Sequence, residues 1–135
     1  MRALLLSLTL LVLTLSTSAA NLTGTYKGTW SGNNGGGDFV ITLDSHDSAN
    51  PKAEISFTVS GQDVKGSVTS VTVNGSKMNV IYKFEIDGTE LQSTVSGELQ
   101  GKTLQGSYET KALADGSEVD SGTWKASSSA AADSP

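Results

Sequence analysis

"NGSKMNVIYKFEIDGT", residues 74–89, decides the fold class. Between Asn74-Gly75 and Asp87-Gly88, Met78, Val80, Tyr82, Phe84 and Ile86 fall on one parity. Asn79, Lys83, Glu85 and Asp87 fall on the other, and only Ile81 breaks the pattern. A period of two is the signature of a half-buried strand, and Asn-Gly and Asp-Gly supply the positive φ angles of tight hairpins. The stretch therefore reads as one strand of an antiparallel sheet, with a hairpin at each end.

Working outward, the same punctuation recurs at Gly61, Gly75, Gly88, Gly101 and Gly116, at spacings of 13 to 15 residues. The intervening segments are rich in Val, Thr, Ile, Tyr and Ser. Upstream, "SGNNGGGD" and "SHDSANPK" add two more connections, which predicts an all-β chain of about eight strands in a single antiparallel up-and-down meander. No segment after residue 20 carries the three-and-four spacing of an amphipathic helix. In the fourth predicted strand, Val64, Gly66 and Val68 share one parity while Val71 and Val73 share the other. Either a β-bulge near Thr69 and Ser70 reconciles the two sets, or one set faces outward.

A second repeat lies inside the strands. Glycine, any residue, then an apolar residue occurs at Gly24, Gly28, Gly66, Gly97, Gly106 and Gly122, and by parity each of these glycines faces inward. Glycine within a strand marks a bend or the close approach of another group, and its repetition suits a sheet coiled tightly enough to close as a barrel. Closure sets the first strand beside the last, so the duplicated "GTW" at 28–30 and 122–124 brings Trp30 and Trp124 into one aromatic region.

Residues 1–20 differ in kind. Arg2, the apolar run "ALLLSLTLLVLTL" and the small-residue end "STSAA" have the pattern of a signal peptide cleaved after Ala20, and imply a secreted or periplasmic protein. Residues 21–126 then form one β-barrel domain, and "SSSAAADSP", 127–135, a disordered tail. The chain has no cysteine, so the fold rests on burial and sheet hydrogen bonds alone. Without residues 1–20 it carries eight lysines against fourteen carboxylates, a formal charge of −6. Those lysines are scattered along the chain, which argues against nucleic acid and against a basic membrane-surface face; once the leader is cleaved no membrane span is expected.

The Gly-rich run "GTWSGNNGGGDF", 28–39, is no phosphate cradle. Asp38 follows the glycines where a P-loop needs Lys and Ser or Thr, and a strand follows where it needs a helix. It reads as a long, flexible hairpin loop at a barrel rim. His46, the only histidine, lies between Asp44 and Asp47, but neighbours along a short loop do not assemble a catalytic triad. With no cysteine and no second histidine, zinc lacks its ligands, and Asp44, Asp47 and Asn50 lack the EF-hand spacing for calcium. Asp115, Glu118 and Asp120 form another acidic cluster whose Asp-Gly reads as a turn. No cofactor, metal or catalytic residue is expected, and the chain is not read as an enzyme. "NLT" at Asn21 and "NGS" at Asn74 match glycosylation acceptors.

With its leader, its "GTYKGTW" at 24–30, its regular hairpins and its closing "SGTWKAS" at 121–127, the chain resembles small exported bacterial barrels of the lipocalin and avidin (calycin-like) type, over residues 22–126. The resemblance implies a non-catalytic binding protein with a small hydrophobic or planar ligand in the barrel mouth. Tyr26, Trp30, Tyr108 and Trp124 are the candidate ligand-binding residues. The chain lacks an Arg to stack under the first Trp and the further tryptophans of an avidin site, so no particular ligand is carried over. If the inward side chains fill the barrel instead, the chain reads as a protein-interaction module, a protease inhibitor or surface adhesin, with a protein partner at its loops or outer face.

Overall fold

The alternation becomes nine antiparallel strands in the computed structural model, which describes residues 22–47 and 49–128. They are β1 (Gly24–Gly32), β2 (Gly35–Asp44), β3 (Lys52–Val59), β4 (Gln62–Lys65), β5 (Ser67–Asn74), β6 (Lys77–Ile86), β7 (Thr89–Gln100), β8 (Thr103–Ala112) and β9 (Glu118–Ser128). All belong to one sheet in the order β4-β3-β2-β1-β9-β8-β7-β6-β5. Every neighbouring pair is consecutive in the chain except β1 and β9, so the first strand lies against the last and the meander curls into a half-barrel. Among the described residues, no helix is long and apolar enough to cross a membrane.

The ninth strand arises from the fourth predicted one. Residues 62–65 pair with β3 and residues 67–74 with β6, the ladder passing from one neighbour to the other at Gly66. The Gly66 amide still donates to the Ile55 carbonyl at 2.9 Å, continuing the β3 side. The side chain of Tyr82 occupies the space in which a Gly66 Cβ would sit, 2.6 Å from its Cδ2. A ring of ladders without a break, as a fully closed barrel implies, is therefore not what the pairing shows. The register of β5 slips between Val68 and Ser70, which is the bulge, one of the two readings that its valine parities allowed. Val68 before it and Val71 and Val73 after it all pack against the core.

The core fills the concave side with the inward parity of each strand: Tyr26, Phe39, Ile41, Leu43, Ile55, Phe57, Met78, Val80, Tyr82, Val95, Leu104, Trp124 and Ala126, joined by Leu22 from ahead of β1. Leu22 is fully buried, and its carbonyl accepts the Tyr26 hydroxyl at 2.9 Å. Together they stop one end of the half-barrel. The opposite end is a mouth formed by the turns at 33–34, 60–61 and 87–88 and the loop 113–117. Ser60 and Asp87 both adopt positive φ, each followed by a positive-φ glycine, which is the type I′ geometry that suits a twisted hairpin.

Two expectations of extent are corrected. The Gly-rich run is no long flexible loop: the turn is Asn33-Asn34 alone, and Gly35, Gly36 and Gly37 belong to β2, paired with β1. At the other terminus β9 takes in Ser127 and Ser128, which lengthens the domain past Ala126. The expected leader at 1–20, and the expected tail from 129 on, lie outside the described residues.

Candidate functional site

Trp30 and Trp124 are direct partners in the β1–β9 ladder, and each indole leaves that seam across glycines. Trp30 faces Gly37 on β2 and passes over it, so that its Nε1 donates to the Thr58 carbonyl on β3 at 3.0 Å. A Cβ on Gly37 would stand 3.0 Å from that nitrogen. Trp124 runs the other way, over Gly106 on β8 and Gly97 on β7, and its Nε1 donates to the carbonyls of Ser96 at 3.1 Å and Ser107 at 3.3 Å. Gly37 and Gly97 thus admit indoles from neighbouring strands, and both indoles are fixed by hydrogen bonds from Nε1. The glycines of the two "GTW" copies serve close backbone approach instead: a Cβ on Gly28 would collide with the Lys125 carbonyl oxygen, and one on Gly122 with that of Ser31.

Between these indoles and the mouth lies a cavity of about 210 Å³. Its aromatic wall is Trp30, Phe39, Phe57, Tyr82, Phe84, Tyr108 and Trp124; Val59, Ile86, Leu91 and Val119 form the rim. The rings pack edge to face: Trp30 on Tyr108 with centroids 5.9 Å apart at 90°, and Phe57 on Phe84 at 5.0 Å and 85°. Such contacts hold the wall in place when nothing occupies the cavity.

The polar groups in the lining are few and fall in two sets. At the mouth, the Tyr108 hydroxyl donates to Asp120 Oδ2 at 2.7 Å, while Asp120 Oδ1 accepts the amides of Asn33 at 3.0 Å and Asn34 at 3.3 Å. Asn34 Nδ2 returns a bond to the Val119 carbonyl at 2.8 Å. The β1–β2 turn is thereby tied to the start of β9, and Gly32 leaves room for the pair, since a Cβ there would lie 2.7 Å from Asp120 Oδ2. Burial, then the bond and charge of Asp120, push the Tyr108 phenol well above its ordinary range. Deeper in, Ser93 on β7 is flanked in register by Tyr82 on β6 and Thr110 on β8. Ser93 Oγ and Thr110 Oγ1 are hydrogen-bonded to each other, and both residues are buried. Burial raises the Tyr82 phenol to about 12, with the Ser93 hydroxyl as an opposing hydrogen-bond partner.

Of the four residues picked from the sequence, Trp30, Tyr108 and Trp124 come together in this cavity and Tyr26 does not. Tyr26 sits at the stopped end with its hydroxyl on Leu22. Ser93, Thr110 and Asp120 were missed. The signal was parity: Ser93 alternates with Leu91 and Val95, and Asp120 with Gly122 and Trp124, so each is a polar residue at an inward position.

After β2 the chain is tied back to the residues ahead of β1, the Ser45 amide donating to Thr23 Oγ1 at 2.9 Å. His46 Nδ1 lies 3.0 Å from Asp44 Oδ1 with both side chains exposed, and this contact draws the Asp44 carboxyl below its ordinary range. Asp47 caps the turn, its Oδ1 accepting the Ala49 amide at 3.0 Å. Among the described residues no three His, Cys, Asp or Glu side chains cluster as metal ligands. No family model, curated protein or solved structure matches the chain.

Proposed function

We propose that this chain is an exported, non-catalytic binding protein that takes a small hydrophobic or planar ligand through its mouth. The observation that carries this reading is the unfilled apolar cavity of about 210 Å³ with Trp30, Tyr108 and Trp124 in its wall. An apolar cavity of roughly 150 Å³ takes benzene, so this one suits a compound of one or two rings and is too small to enclose a long acyl chain. A filled interior would favour the protein-interaction reading, and the cavity counts against it. The pattern of residues 1–20 supports export. Closure into a complete barrel belongs to the same reading, supported by the β1–β9 ladder and by the direct passage of the chain through Gly66 from β4 to β5.

Tryptophan emission tests it. Titration with single-ring and two-ring aromatic compounds gives a saturable change in the intact protein, reduced in Trp30→Phe and in Trp124→Phe. No saturable response to any compound of that size rejects the reading.

A further inference from the structure

We infer that the cavity selects an uncharged ring compound bearing one hydrogen-bonding oxygen, a ketone or ester carbonyl above all, and that the hydroxyl row Tyr82–Ser93–Thr110 receives that oxygen. The inference rests on the binding reading above and specifies its ligand class. Three cross-strand neighbours on β6, β7 and β8 all present hydroxyls to the concave side, and all three line the cavity. Each residue is at least nine-tenths buried, at 4% exposure for Tyr82, 1% for Ser93 and 5% for Thr110.

Proton arithmetic leaves this row incomplete. Ser93 and Thr110 carry two hydroxyl protons and share one hydrogen bond, so one O–H of the pair has no partner within it, and the Tyr82 hydroxyl adds a third proton to the row. Both ends, Tyr82 and Thr110, border the cavity. A row built only to hold the sheet together could have been apolar, as the neighbouring inward positions Val80 and Val95 are. A buried donor facing an apolar space costs stability unless it is met, and a ligand oxygen meets it.

Charge decides between a neutral and an anionic oxygen. Among the described residues no Lys, Arg or His lines the cavity, and the one carboxylate that does, Asp120, stands at the mouth. A carboxylate ligand would pass Asp120 and be buried without a counter-ion, which is strongly unfavourable. A neutral carbonyl needs one donor and finds it.

The test is calorimetric titration of the intact protein with acetophenone, with α-methylstyrene, which has the same shape with CH₂ in place of the carbonyl oxygen, and with benzoate. The variants are Tyr82→Phe, Thr110→Val, and the triple variant Tyr82→Phe/Ser93→Ala/Thr110→Val. In the triple variant the affinity ratio of ketone to alkene falls about tenfold, the effect of one hydrogen bond, while the alkene still binds and so reports an intact cavity. One of the two single variants reproduces most of that fall, which keeps the test alive if the triple variant does not fold. Benzoate binds at least tenfold more weakly than acetophenone. An unchanged ratio in the variants, or benzoate binding as tightly as the ketone, overturns the inference and leaves the binding reading standing. Failure of all three compounds to bind overturns the inference, and the binding reading falls with it when the wider series of one- and two-ring compounds gives no saturable response either.

Discussion

Replacing Gly97 by alanine tests the glycine-for-indole packing at its tightest side-chain contact. The added methyl would lie 2.5 Å from Cζ2 of Trp124, 3.0 Å from Cη2 and 3.1 Å from the Met78 sulfur. Ordinary carbon–carbon contact is about 3.5–4.0 Å, so the indole must retreat by roughly 1 Å. It has little room to do so, because Nε1 is bonded to Ser96 and Ser107 and Phe39 packs on it with centroids 5.0 Å apart. Overpacking of this kind costs about 1–3 kcal/mol, and losing the indole bond adds about 1 kcal/mol. Alanine recovers about 0.5 kcal/mol by restricting the unfolded chain. The net loss is about 2–3 kcal/mol, and at about 4–8 °C per kcal/mol for a domain of this size the midpoint of thermal unfolding drops by roughly 10–20 °C. Circular dichroism melts of Gly97→Ala, Trp124→Leu and the double variant measure it. In the Trp124→Leu background the alanine becomes nearly neutral, a coupling of about 2 kcal/mol. A drop of less than about 3 °C, or a penalty that persists without the indole, refutes the packing argument.

Alkaline titration follows tyrosinate absorbance against unfolding. The folded Tyr82 phenol titrates near 12 against 10.0 unfolded, so its contribution is fully present below pH 10 and is lost as pH rises towards 12, a loss of about 3 kcal/mol. Tyr26 and Tyr108 are raised as well, so tyrosinate appearing with a midpoint near 10 in folded protein contradicts the burial of all three. Asp120→Ala removes the acceptor of the Tyr108 hydroxyl and of the Asn34 amide, while the Asn33 amide keeps the Ser121 carbonyl at 3.1 Å; the Tyr108 phenol then titrates lower and the Asn34 amide exchanges faster by NMR, whereas unchanged exchange would show that the turn holds itself. Trp30→Phe leaves the Thr58 carbonyl without its indole partner, and denaturant melts should record a loss of about 1 kcal/mol, with no loss if water replaces the bond at equal strength.

Much of this molecule is local and so could be read along the chain. Period-two alternation and Asn-Gly, Asp-Gly and Ser-Gly signals determine strands and turns, because side-chain direction in a strand and positive φ in a turn are properties of one or two residues. The parity change in β5 allowed a bulge or an outward-facing set and the register decided for the bulge, while the pairing of Trp30 with Trp124 followed from the repeated "GTW". What the tertiary structure alone decided is where neighbouring strands put their atoms. The use of Gly37 and Gly97 as passages for two indoles depends on ring direction across three strands, which no spacing within a strand records. The tightness of the Asn33-Asn34 turn depends on Asp120, and the removal of Tyr26 from the cavity depends on Leu22. Tyr82, Ser93 and Thr110 stand side by side because the two-residue turns at 87–88 and 101–102 fix the registers of β6, β7 and β8, so this row was within reach of parity and turn position. That the row borders a cavity depends on how the sheet curls and on rings arriving from β1, β2, β3 and β9, and so the cavity belongs to the fold.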